Sequence, residues 1–285
     1  MGGHHPHVTQ MAVPELFRAG PPEGWQREVA QQGFVLLPGA LTEAAAEALT
    51  SEVLATEEAA PVVAGTAQSG SARGAHAICG PVADALLDAP LLRSMLGATF
   101  EGGRYEVCHT TFSVRAPGSP GGGLHQDFFF GPAPWCERDC PHQSISVFVY
   151  PTGFSPGDCA LTLIPGSHLV DPFDEALQGP QLQNTVDNAR LPTIFAERFG
   201  LQPRELTAPP GTLVLLNCKV WHAVGDKPAK SPQPYRIFRN YIFKTVGSEP
   251  HQHTQSIPPS WLRGASAHRR MLFARQPGPD FKPAL

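Results

Sequence analysis

Apolar positions in this chain come in short runs rather than long stripes. Phe34 to Leu37 form one such run, closed by Pro38-Gly39. Beyond Thr42, Leu49, Val53 and Leu54 recur at helical spacing through an Ala- and Glu-rich stretch to about residue 59. The opening therefore reads as strand, turn, helix. A Gly/Ser/Ala-rich link over 64–75 leads to a second predicted helix over 82–96. The pattern then changes, and segments rich in β-branched and aromatic residues, bounded by Gly, Pro, Asp or Asn, predict strands at 105–114, 144–150, 160–164, 212–216, 220–222 and 235–244. Short strands with irregular turns point to a sandwich or barrel. Pro-rich segments lie at 116–123 and 131–141, and a low-regularity insertion over 170–210 is longer than a connector needs. A last helical pattern covers 257–275, where Arg269-Arg270 read as a solvated face.

Composition narrows the class. Charged residues make up 16% of the 285 and hydrophobic ones 41%, so there is ample material for a core, while 28 glycines and 31 prolines require many turns. The net charge is −4 and no Lys/Arg cluster stands out, which argues against a nucleic-acid partner. No apolar run approaches the roughly 18 residues of a membrane span, and the first residues carry neither a basic nor an apolar leader segment. Six scattered cysteines fit reduced thiols better than a disulfide framework. The expected setting is cytoplasmic, with a small molecule as partner; oligomeric state is not legible.

The most informative local pattern is His125-Gln126-Asp127. An imidazole and a carboxylate two residues apart lie on one side of an extended backbone and can bite one metal ion. A second histidine from a distant strand would complete the 2-His-1-carboxylate set of non-haem Fe(II) oxygenases. His222 is the best candidate, because it ends the run from Thr212 through Trp221 and would be delivered by a second core strand. Downstream, Arg236 opens the strand-like stretch Tyr235 to Phe243, where a buried guanidinium could hold a carboxylate with both arms. Three metal donors and an inward arginine point to a keto-acid cosubstrate.

These segments together resemble the phytanoyl-CoA dioxygenase family of Fe(II)/2-oxoglutarate oxygenases over nearly the whole chain. Residues 33–42 are similar to the family's opening strand, turn and helix, and His125-Gln126-Asp127 to its metal-binding pair. Gly157 through His168, with Pro165-Gly166-Ser167-His168, resembles its characteristic turn, and Pro210-Gly211 through Leu216 leads to His222 as its distal-histidine strand does. The resemblance implies a mainly β fold with flanking helices around a double-stranded β-helix core, a cupin-like jelly roll. It implies one domain over 1–285, with a helical flank to about 100, a core over about 101–248 and a helical tail over about 249–285; the 170–210 insertion, too long and irregular for a connector, is expected to act as a lid.

The same resemblance implies Fe(II) on His125, Asp127 and His222, and 2-oxoglutarate anchored through its distal carboxylate by Arg236, with Gln126 and Phe148 lining the cosubstrate pocket. The link from His222 to Arg236 is longer than is common in the family, which keeps Arg239 in play. The two arginines are three residues apart, so a regular strand points them to opposite faces.

Other residues have plainer readings. His168 is expected to hydrogen-bond its own turn rather than a metal. Cys136, Cys140 and His142 lack the fourth ligand a structural zinc site needs. Phe128, Phe129, Phe130 and Trp135 suit either core packing or an apolar substrate wall. The expected function is an Fe(II)/2-oxoglutarate-dependent dioxygenase that consumes O2, converts 2-oxoglutarate to succinate and CO2, and hydroxylates an unactivated C–H bond. Low overall charge suggests a neutral or apolar substrate, in the setting of secondary metabolism. Asp127 argues against halogenation, which needs the carboxylate position vacated. The rival readings are a non-catalytic jelly roll that binds a metal or carboxylate, and a cupin-type dioxygenase independent of 2-oxoglutarate.

Overall fold

The structure is a computed structural model, and it describes residues 13–18, 20–73, 80–127, 144–171, 174–177, 189–246, 262 and 265–273. Phe128 to Phe130, Trp135 and the Cys136, Cys140, His142 group lie outside these residues, as does most of the first half of the 170–210 insertion.

Two antiparallel sheets form the core. The larger runs in the order β1 (Phe34–Leu37), β8 (Thr212–Asn217), β5 (Ser144–Tyr150), β10 (Arg236–Thr245), β3 (Tyr105–Arg115), β2 (Ser69–Arg73). The smaller runs β4 (Gly122–His125), β9 (His222–Val224), β6 (Leu161–Leu163), β7 (Arg204–Glu205). This is the mainly β jelly roll that the resemblance implied.

Strand β5 shows why the larger sheet holds. All seven of its residues are buried, so both of its faces are covered. Ile145, Val147 and Val149 join Leu213, Leu215, Tyr241 and Phe243 in an outer core built mainly with α2 (Glu43–Leu54), α4 (Pro81–Leu87) and α5 (Pro90–Thr99). Phe148 and Tyr150 point the other way and pack with Val214 and Leu216 toward the smaller sheet. The helical flank is thus the outer cover of one sheet, and the cavity lies between the two sheets.

Several elements differ from the expectation. The helix predicted over 82–96 is two helices, because Pro90 disfavours helical backbone at Ala89. Ser69–Arg73 reads as a flexible link but forms β2, whose stability comes from pairing with β3 rather than from propensity. Trp25–Gln32 forms α1 ahead of β1, and α3 (Ala60–Val63) follows α2. Within the insertion, α6 (Leu191–Phe199) buries Leu191 and Phe195 against Trp221 and Ile164, so that half is packed structure.

Arg269 is not solvated. It lies on the last described helix, α7 (Ala267–Leu272), is buried, and its Nε meets Asp88 Oδ2 at 2.7 Å while Nη1 meets Asp84 Oδ1. Only Arg270 has the exposed position the charge pair suggested. His168 does not bond its own turn either; its Nε2 lies 3.2 Å from the Ala30 carbonyl of α1.

Gly33 joins α1 to β1 with φ +83, and a Cβ there would stand 2.3 Å from Val220 Cγ2 and 2.6 Å from His168 Nδ1. Gly33→Ala should therefore destabilise the protein by more than the roughly 1–2 kcal/mol of left-handed strain alone. Denaturant titration checks this, and an unchanged midpoint would contradict the packing described.

Candidate active site

The His125-x-Asp127 segment and His222 meet because β4 and β9 are neighbours: His125 and His222 are directly opposed in that pair. Their rings lie 4.3 Å apart, and one donor atom each from His125, Asp127 and His222 fall within 4.8 Å of one another. Asp127 Oδ1 is 3.9 Å from His125 Nε2 and 3.7 Å from His222 Nε2.

The surroundings orient each donor. His125 Nδ1 lies 2.9 Å from the Gly123 carbonyl and His222 Nδ1 lies 3.0 Å from the Val220 carbonyl. A carbonyl only accepts, so both Nδ1 atoms carry the proton and both Nε2 lone pairs are free to face a metal. Asp127 Oδ2 accepts from the Ser146 hydroxyl at 2.9 Å and from the Asn240 amide at 3.4 Å, which leaves Oδ1 turned toward the two imidazoles. Burial drives the His222 pKa down to about 4 against the opposing pull of Asp127, so the ring is neutral at physiological pH. For Asp127, burial acts upward, but His222, His125 and Ser146 outweigh it and hold the carboxyl below its ordinary range. A neutral imidazole pair with one carboxylate is a donor set suited to a divalent first-row metal.

Ser146 is invisible to motif reading, although a buried hydroxyl within the mostly apolar strand β5 is a signal in itself. Ser146→Ala should weaken metal affinity by roughly 10–100-fold, the usual cost of losing a group that orients a ligand. A metal titration checks this, and an unchanged affinity would mean that Asn240 alone holds the carboxylate.

The donors open into a cavity of ≈ 480 Å³. Of the other sequence candidates, Gln126, Phe148 and Arg236 all line it, while Arg239 does not. Gln126 donates its side-chain amide to the Lys219 carbonyl and so ties the His-x-Asp corner to the segment that delivers His222. Phe148 packs against His222 with ring centroids 5.5 Å apart. Arg236 and Arg239 face opposite sides of β10: Arg236 shares the cavity with Phe238, Asn240 and Ile242, and Arg239 is fully buried with its guanidinium 5.0 Å from the Tyr241 ring. The Arg236 side chain is also buried, lies 4.9 Å over the Tyr150 ring, and its Nε has no hydrogen-bond partner among the described residues. Buried cations are normally paired, so a guanidinium on a cavity wall that meets no carboxylate among the described residues fits an incoming one.

The phytanoyl-CoA dioxygenase family model matches residues 29–231, which take in all three metal donors, most of the helical flank and every strand of both sheets except β10. The chain belongs to the phytanoyl-CoA dioxygenase family. It is accordingly an Fe(II)/2-oxoglutarate-dependent oxygenase, and its donor set fits the metal.

Solved structures agree on the fold of this family member. SnoK, a non-haem α-ketoglutarate-dependent carbocyclase from nogalamycin biosynthesis, is 16% identical, covers 87% of this chain and 94% of its own, and gives a TM-score of 0.58. HygX from Streptomyces hygroscopicus, solved with nickel and 2-oxoglutarate bound, is 16% identical over 79% of this chain and 88% of its own, with a TM-score of 0.55. AviO1 from Streptomyces viridochromogenes Tue57 is 14% identical over 79% of this chain and 96% of its own, with a TM-score of 0.56. No curated protein matches the sequence. Among the described residues, no helix is long and apolar enough to cross a membrane.

Proposed function

We propose that this oxygenase hydroxylates an unactivated C–H bond of a small molecule, with His125, Asp127 and His222 as the iron ligands and Arg236 as the anchor of 2-oxoglutarate. The observation that carries this reading is the presence, around one cavity, of three convergent donors and, on the larger sheet, a buried arginine that pairs with no carboxylate among the described residues. When bound, Fe(II) and 2-oxoglutarate would activate O2, the oxidant, with 2-oxoglutarate giving two electrons on conversion to succinate and CO2 and the substrate giving the other two.

The protein's own part is placement. Ser146 and Asn240 fix the carboxylate rotamer, and the Gly123 and Val220 carbonyls fix both imidazole tautomers. Arg236, flanked by the rings of Tyr150, Phe154 and Phe238, offers a dry, planar fork to the distal carboxylate. Phe148 and Gln126 shape the space between fork and metal. A keto-acid-independent dioxygenase would have no use for that fork, and an inert binding protein would need no such orientation of all three donors. A setting in secondary metabolism belongs to the same proposal, with the nogalamycin carbocyclase of like fold as precedent.

Mass analysis of the product tests the reaction type. Hydroxylation adds one oxygen atom to the substrate for each succinate formed. Loss of two hydrogens with no oxygen gained would replace it with desaturation or ring closure.

A further inference from the structure

One wall of the cavity has no task in the chemistry above. It forms where β2 adds to the edge of the larger sheet. Strand β2 registers Ser71 against Ser113 and Arg73 against Thr111. Strand β3 in turn registers Ser113 against Phe238, Thr111 against Asn240 and Arg115 against Arg236. Directly opposed residues share a face, and all of these line the cavity. One row thus runs from Asn240, which touches Asp127, through Thr111 to Arg73 at the mouth. Its two ends are two strand spacings apart, about 10 Å.

Charge then decides what this wall is for. The lining contains three arginines, Arg73, Arg115 and Arg236, and Asp127 is the one acidic residue among its described members. Fe(II) and 2-oxoglutarate carry opposite double charges and cancel, so the loaded cavity keeps a positive excess. Asp226 attracts Arg115 and offsets part of its charge. Arg73 pairs with no carboxylate among the described residues. The hydroxyls beside it are not equivalent: Thr111 donates to the Ala72 carbonyl at 2.8 Å, which leaves Ser71 and Ser113 as the donors available to a ligand.

We propose that this wall recognises an anionic group of the substrate, a carboxylate or a phosphate, with Arg73 as its charge partner and Ser71 and Ser113 as hydrogen-bond donors. The oxidised carbon then lies about 10 Å further in, beside the metal donors. This deepens the oxygenase reading and rests on it, since it takes metal and cosubstrate as the other occupants. It also replaces the neutral or apolar substrate suggested by the chain's low overall charge: the average over 285 residues conceals a cavity with a local surplus of cations.

The test uses the full chain, loaded with Fe(II) without oxygen and titrated by calorimetry. 2-Oxoglutarate is added first, to saturation. Hexanoate and hexyl phosphate are then compared with hexanamide and hexanol. The expected result is saturable binding of at least one anion, about tenfold or more tighter than its neutral counterpart. Arg73→Ala should remove that preference and Arg73→Lys should keep part of it, while both bind 2-oxoglutarate as the wild type does. Whichever anion binds more tightly distinguishes carboxylate from phosphate. Absence of anion binding, equal binding of the neutral compounds, or an unchanged preference in Arg73→Ala overturns the proposal. Failure of the first titration overturns the oxygenase reading and this proposal with it, whereas failure of the hexyl titrations alone overturns only the assignment of the wall.

Discussion

His222→Ala is expected to abolish conversion of 2-oxoglutarate to succinate while leaving a folded protein. His222 is buried, faces His125 across the β4–β9 pair and presents Nε2 toward Asp127. Its removal leaves two donors, and the loss should exceed the roughly 10–100-fold that follows when a group merely orienting a ligand is removed. The fold should survive, because the substitution removes one side-chain hydrogen bond, to the Val220 carbonyl, at a cost of about 1–3 kcal/mol. Succinate assay and thermal melting, run on the same preparation, separate the two effects. Metal-dependent turnover near the wild-type rate would remove His222 from the site.

The second large effect belongs to Arg236. Arg236→Ala should raise the 2-oxoglutarate concentration for half-maximal turnover by roughly two to three orders of magnitude, because breaking a buried arginine–carboxylate pair costs about 3–5 kcal/mol. Arg236→Lys should recover part of this, since an ammonium restores the charge but not the two-armed fork. Arg239→Ala is the comparison. Its side chain is fully buried on the opposite face of the same strand, so its loss should appear as lowered stability with little change in the 2-oxoglutarate requirement. The reverse assignment of the two phenotypes would move the anchor to Arg239.

That pair also marks the limit of what could be read without coordinates. Strand parity correctly separates Arg236 from Arg239, but apolarity could not say which faces inward, because both faces of β10 are buried: Ile237, Tyr241 and Phe243 under the helices, Arg236 and Asn240 at the cavity. The His-x-Asp pair and His222 were legible because a metal site needs specific atoms, and few residue types supply them. Ser146 and Asn240 were not, since a hydroxyl or amide that orients a ligand has no spacing rule of its own. The β2 wall was hidden for a different reason. Ser69-Gly70-Ser71-Ala72-Arg73 has low strand propensity and pairs only because β3 presents an open edge. Arg269 shows the converse error, a charge that looked solvated by pattern yet meets Asp84 and Asp88 from 185 and 181 residues away in the chain.

The most direct test of the central claim is addition of 2-oxoglutarate to the Fe(II)-loaded protein in the absence of oxygen, followed by visible absorption. A weak charge-transfer band is expected that saturates with 2-oxoglutarate, is absent from His222→Ala and needs far more cosubstrate to appear in Arg236→Ala. Iron bound by the wild type with no such band at saturating 2-oxoglutarate would contradict that claim.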